Sequence, residues 1–209
     1  MTTLRPLRQD AARNRERLVA AARDVFSRKG LDAPLEEIAR EAGVAIGTLY
    51  NRFPARGDLV DAALAPLAER AADIAERAAG ASDPWDGFAS FMAGICEMLA
   101  ADRGYADVQR SRLAGTPAID AARRRMALLK AQIVTQAKAA GELRADVESA
   151  DLVLLFWGIA AIADATRESA PDAWRRQLAL LLDGLRPGAA NPLPRPPLTA
   201  AELRRAATA

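Results

Sequence analysis

The chain has 209 residues, 51% of them hydrophobic and 27% charged, with a formal net charge of +2, no histidine and one cysteine, Cys96. That length suits one large domain or a small domain fused to a larger one, and the balance is that of a folded chain in water. One thiol and no imidazole exclude an internal disulfide, zinc or iron–sulfur ligation, and histidine-assisted serine or cysteine catalysis.

Residues 1–9 read as a flexible arm. From Asp10, a residue suited to an N-cap, a helix is predicted to run to Lys29, because Leu18, Ala21, Ala22, Val25 and Phe26 recur at i, i+3, i+4, i+7 and i+8. Gly30 is its natural stop. Pro34 sits where a helix begins, and Leu35, Ile38, Ala39 and Ala42 make a second, shorter stripe that Gly43 ends. The third helix covers about Ile46–Phe53 and stops before Pro54. A fourth is expected from Arg56 to about Ala79, with Pro66 as a kink.

Asp83–Pro84 opens a fifth helix, striped by Phe88, Phe91, Met92, Ile95 and Leu99, and residues 104–115 fit a short sixth. The seventh runs from Pro117 to Ala140, with Ala122, Met126, Leu129, Ile133 and Ala140 inward. Ser149 is expected to cap an eighth helix reaching about Glu168. Pro171 begins the last, striped by Trp174, Leu178, Leu181, Leu182 and Leu185. The proline-rich tail from Arg186 is expected to be extended, with a frayed turn or two at Thr199–Ala207. No strand pattern and no repeat interrupts this all-α reading. The N-terminus has no apolar signal-peptide core. The longest uncharged apolar run, Leu152–Ala163, is too short to span a bilayer. A cytoplasmic protein with no membrane partner is expected.

Charge is unevenly placed. Residues 1–30 carry eight basic side chains, Arg5, Arg8, Arg13, Arg15, Arg17, Arg23, Arg28 and Lys29, against Asp10, Glu16 and Asp24. The remainder of the chain is net acidic. A basic end on a near-neutral body suits a polyanion partner, though a solvated helix face has the same composition.

The stretch GVAIGTLYNRF, residues 43–53, sharpens this. At about 100° per residue, Ile46, Leu49, Tyr50 and Phe53 share one arc that docks on the two preceding helices. Gly47, Thr48, Asn51 and Arg52 occupy the other arc and face outward. A hydroxyl, an amide and a guanidinium reach phosphates or base edges, and glycine lets the backbone approach them. Helix, glycine turn and short helix together make a helix-turn-helix. The alternative is an ordinary three-helix core with a polar surface.

RERLVAAARDVFSRKG followed by LEEIAREAGVAIGTLYNRFPARGDLVDAAL resembles the N-terminal domain of tetracycline-repressor-type (TetR family) transcriptional regulators over residues 14–64. The resemblance implies phosphate contacts from Thr48, Tyr50, Arg52 and Arg56, and groove-facing roles for Ile46, Gly47 and Asn51. Ala45 stands where the family often has a capping Ser, and Pro34–Leu35 replaces a Thr-rich helix start. Glu36 and Glu37 stand near where the family places a basic or polar DNA contact, and Arg52 stands where His is common. Residues 10–55 are thus expected to form the helix-turn-helix domain. Residues 56–185 are expected to form a ligand-sensing and dimerisation domain, resembling an SbtR-like branch, and residues 186–209 the tail.

The eighth helix is apolar on both faces, so it must be covered on both sides. Val153, Trp157, Ala160 and Ala161, with Leu178, Leu181, Leu182 and Leu185 of the last helix, are the expected two-fold interface; the alternative is burial within one subunit. Phe88, Met92, Cys96, Met126 and Phe156 are expected to line an effector cavity, with Arg110 and Asp164 as polar anchors. Plain core is the other reading of such stripes. Together these residues predict a homodimeric repressor released from a palindromic operator in double-stranded DNA by a small apolar effector, with no catalytic residue, metal or cofactor. An effector-free activator or architectural DNA binder is one rival. Another is a helical enzyme using Glu97 or Asp164 as acid or base.

Overall fold

The computed structural model describes residues 4–111, 113, 115–189 and 191–207. Among these residues the regular structure is all helical, and no helix is long and apolar enough to cross a membrane. Three helices, α1 (Leu4–Lys29), α2 (Leu35–Glu41) and α3 (Ile46–Arg52), form the N-terminal unit. The stripe Leu18, Ala22, Val25 and Phe26 of α1 is fully buried, and Ile38 of α2, Leu49 of α3 and Phe53 close against it.

Both turns of this unit depend on left-handed glycine. Gly30, at φ 79°, ends α1 with its N–H on the Phe26 carbonyl at 2.8 Å. Gly43, at φ 63°, ends α2 in a Schellman arrangement: its N–H reaches the Arg40 carbonyl and the Val44 N–H reaches that of Ala39, each at 3.0 Å. A β-carbon at either position would meet the strain of left-handed backbone. Arg17 Nη2 donates to the Gly43 carbonyl at 3.3 Å, tying this corner to α1.

The remaining helices are α4 (Arg56–Ala79), α5 (Pro84–Ala101), α6 (Arg103–Arg110), α7 (Pro117–Ala139), α8 (Ser149–Ala165), α9 (Ala173–Gly184) and α10 (Ala200–Ala206). α4 and α7 share the largest helix contact. Ala68, Ala71, Ala72, Ala75 and Ala79 bury small side chains on α4, which permits close helix approach. Asp61 of α4 accepts the N–H groups of Ala118 and Ile119 at 3.2 and 2.9 Å, satisfying the first turn of α7. The five-residue stripe expected on α5 is buried throughout, and Phe91 meets Phe156 of α8 edge-on at 5.8 Å.

Several expectations are corrected. α1 begins at Leu4, so residues 4–9 of the predicted arm are helix. Leu, Arg and Gln favour helix, and Pro6 falls in the first turn, where no internal hydrogen bond is lost. Residues 1–3 lie outside the described residues. Glu148, not Ser149, holds the capping position of α8, its N–H bonded to Asp151 Oδ2 at 2.7 Å, and α8 ends at Ala165 rather than near Glu168. Ala140 is exposed just beyond α7. α9 is not the last helix, since Thr199 caps α10 by accepting the Glu202 N–H at 3.3 Å. The tail is also anchored: Arg144, buried and paired with Asp146 at 2.7 Å, donates to the Asn191 carbonyl at 2.6 Å. Apolar periodicity foresees neither: the anchor's partner lies 47 residues away, and the caps rest on polar side chains outside the apolar stripe. The sixth helix is present, and residues 112 and 114 beyond it lie outside the described residues.

α6 joins the two parts of the molecule. Asp107 accepts the Leu31 N–H at 2.9 Å, just beyond Gly30. Arg103 donates to the Arg28 carbonyl at 2.9 Å and to Asp164 of α8 at 2.5 Å. Gly30→Ala would set a methyl against the Asp107 carboxylate in left-handed backbone. The backbone term alone is about 1–2 kcal/mol, so the melting temperature is expected to fall by several degrees. Differential scanning calorimetry reads it, and an unchanged midpoint would contradict the strained corner.

Candidate nucleic-acid interface

α3 is fixed by its apolar side and open on the other. Leu49 is fully buried and Phe53 nearly so, while Gly47, Asn51 and Arg52 are exposed and Ile46 and Thr48 are half-buried. Tyr50 departs from the helical-wheel reading: it is 48% exposed. Packing centres on Leu49 and Phe53, and Tyr50 lies about 80° round the helix from their midpoint, beyond the rim of the contact. The exposed face therefore holds a phenol as well as an amide, a guanidinium and a bare backbone position. Ala45 supplies no side-chain cap, so the first-turn N–H groups of α3 lack that acceptor.

Arg56 does not join this face. Its Nη2 donates to the carbonyls of Leu31 and, at 2.7 Å, Ala33, and its guanidinium lies 5.8 Å from the centre of the Phe26 ring. The group braces the α1–α2 turn, an internal role that the resemblance did not imply. The sequence carried no signal of this, since the acceptors are backbone atoms 23 and 25 residues earlier.

Two arginines that the sequence reading counted only as part of the basic end turn out to flank α3. Arg15 lies over the Phe53 ring at 5.3 Å, at the C-terminal end, and Arg17 holds Gly43 in the preceding turn. By contrast, Lys29 pairs with Glu37 at 2.7 Å and Arg28 with Glu41 at 2.9 Å. The Lys29 ammonium holds the Glu37 carboxyl below its ordinary range. Glu37 and Glu41 thus offset basic side chains at that corner, whereas Arg15, Arg17 and the exposed Arg52 lie on or beside α3.

The expected effector cavity is not assembled. Phe88, Met92 and Cys96 are fully buried in close-packed core and Phe156 nearly so, with burial pushing the Cys96 thiol up to about 12. Met126 is half-buried beside a crevice of about 120 Å³ that also takes Gln109 and Lys130. Arg110 and Asp164 meet elsewhere, in an open cleft of about 510 Å³ between α6 and α8. There Asp164 pairs with Arg103 and Arg110 with Asp107. Stripes of Phe and Met signal burial, and here they fill space.

The expected interface is likewise redistributed. Leu178 and Ala160 are buried within the chain's own core, and Leu181, Leu182 and Leu185 are half-buried against it. Val153 and Trp157 face a cleft towards α7 and α10. The uncovered stripe of α8 is Leu154, Gly158, Ala161 and Ala165, and that of α9 is Leu180 and Gly184. Leu154 is 38% and Leu180 54% exposed. A β-carbon at Gly158 or Gly184 would meet open space.

Comparison with known proteins agrees with this geometry. The family described as "Bacterial regulatory proteins, tetR family" matches residues 18–63, and "Transcriptional regulator SbtR-like, C-terminal domain" matches residues 83–187. The chain is similar to a TetR transcriptional regulator from Streptomyces coelicolor, at 36% identity, 83% of this chain, 98% of that chain and TM-score 0.55. It shares its fold with FadR from Bacillus subtilis, solved with stearoyl-CoA, at 17% identity, 84% and 99% coverage and TM-score 0.63. An HTH-type transcriptional regulator of Staphylococcus aureus strain USA300 is 37% identical over 54 residues, 25% of this chain. That match spans only 29% of the relative's length.

Arg52→Ala is expected to leave thermal stability unchanged within about 0.5 kcal/mol, as at an exposed site, whereas Arg56→Ala strips two buried-side carbonyls of a charged donor and should cost about 1.5–3 kcal/mol. Urea melts of the two variants check this, and equal stabilities would count against the inward role of Arg56.

Proposed function

The chain belongs to the TetR family of bacterial regulatory proteins, and on that premise we propose that it is a cytoplasmic, homodimeric repressor released from a palindromic operator by a small-molecule effector, with no catalysis of its own. The observation that carries this is α3. Seven residues are held by Leu49 and Phe53 with Gly47, Tyr50, Asn51 and Arg52 facing solvent, between two arginines. In a duplex major groove, Asn51 is the adenine-reading side chain, and Arg52, Tyr50 and Thr48 are phosphate donors. Ile46, half-buried in the first turn, is within reach of a thymine methyl.

Two copies are needed to read two half-sites, about 34–36 Å apart. The stripe of Leu154, Gly158 and Ala161 beside Leu180 and Gly184 supports the pairing. Small residues let helices of the two subunits approach closely, and the leucines supply the apolar area. Such a four-helix contact buries what one subunit leaves wet.

Effector coupling runs through α6. This helix touches α1 through Gly104 against Phe26 and through Asp107 on Leu31, and it reaches α8 through Arg103 and Asp164. A ligand that shifts α6 therefore moves the corner on which α2 and α3 rest, and a coupling of about 1–3 kcal/mol changes operator affinity roughly 5–150-fold.

Footprinting on DNA flanking the coding region is expected to protect two half-sites. On that site Arg52→Ala should lower the slope of log affinity against log salt by about one. An unchanged slope would remove Arg52 from the phosphate contacts. Separately, Leu154→Glu with Leu180→Glu should convert a dimer to a monomer in sedimentation velocity while the helical circular-dichroism signal is retained. A dimer persisting in that double variant would place the interface elsewhere.

A further inference from the structure

The cleft between α6, α7, α8 and α10 belongs to none of the surfaces assigned above. It encloses about 540 Å³, within the usual size of small-molecule sites. The half-buried indole of Trp157 and the side chain of Leu203 supply apolar walls. Arg110, Arg123 and Arg124 line the side formed by α6 and α7. Asp107 pairs with Arg110 at 2.7 Å and Asp120 with Arg123 at 3.1 Å, which leaves Arg124 as the excess charge of that wall among the described residues. Ser111 lines the same space, and its hydroxyl is buried with no hydrogen-bond partner. A buried hydroxyl with nothing to bond is costly unless something else reaches it.

We propose that this cleft binds an aromatic organic anion, its ring against Trp157 and its carboxylate or phosphate received by Arg124 and the Ser111 hydroxyl. The guanidinium fork can pair with two oxygens of such a group, and offset stacking on indole suits a flat apolar body. The proposal rests on the regulator reading and gives its effector a chemical class and a place. The class is anionic and aromatic, where the sequence suggested an apolar molecule inside the helical core. Arg110 and Ser111 stand at the end of α6, whose Asp107 holds Leu31 beside the DNA-facing unit, so an occupant touches the helix through which coupling runs.

Isothermal titration calorimetry of the full chain with 1-naphthoate, 1-naphthyl phosphate and the neutral 1-naphthamide tests it. At least one anion is expected to bind saturably and at least tenfold more tightly than the amide. Arg124→Ala and Trp157→Leu should each weaken that anion tenfold or more. Arg124 is exposed, so its removal leaves the fold intact and keeps the result readable if Trp157→Leu unfolds. No saturable anion binding, equal affinity for the amide, or an affinity indifferent to Arg124→Ala would each overturn the proposal. Gel shifts on the same preparations separate the two readings. A chain without ligand that ignores DNA defeats the regulator reading, whereas intact DNA binding with no anion-selective heat defeats the effector class alone.

Discussion

A helix of seven residues has no stability of its own in water, since nucleation costs more than two turns of hydrogen bonds return. α3 exists only because Leu49 and Phe53 are buried against α1 and α2, and its direction is the direction of that contact. Everything assigned to its outer face follows from this one docking. Residues that centre the contact are withdrawn from solvent, those opposite are presented, and Tyr50 at the rim is presented too. Two left-handed glycines make the docking possible by turning the chain twice within fourteen residues.

The same corner is held from outside. Asp107 on Leu31, Arg103 on Arg28 and Arg56 on the carbonyls of Leu31 and Ala33 converge on the end of α1 from α6 and α4. These are charge-assisted bonds to backbone atoms, about twice as strong as neutral ones and sensitive to direction. They make the helix-turn-helix a fixed extension of the second domain rather than a bead on a linker.

α8 shows why apolar patterns alone mislead about function. Its faces are apolar nearly all round, and periodicity cannot say which face meets the core, which stays open and which walls a cleft. Leu152, Phe156 and Ile159 went to the core, Trp157 to the cleft and Leu154 to the open side. Each outcome was set by where α5, α6, α7 and α9 lie around the helix. Likewise, Phe88, Met92 and Cys96 are buried in the core, although the same stripe would suit the wall of a cavity.

The amino-acid order by itself determined the helices, their main boundaries, the buried stripes and the outward arc of Gly47, Asn51 and Arg52, because these depend on neighbours within a turn or two. It also identified the helix-turn-helix, whose residues are contiguous from Leu18 to Phe53. What the tertiary structure alone decided is every role that needs a distant partner: Arg56 turned to the α1–α2 carbonyls, Arg15 and Arg17 placed at the ends of α3, Arg144 holding the tail, and Trp157 facing a cleft. Hydrogen bonds and ion pairs are satisfied by whichever groups the packed helices bring within about 3 Å, and that proximity is a property of the assembled fold.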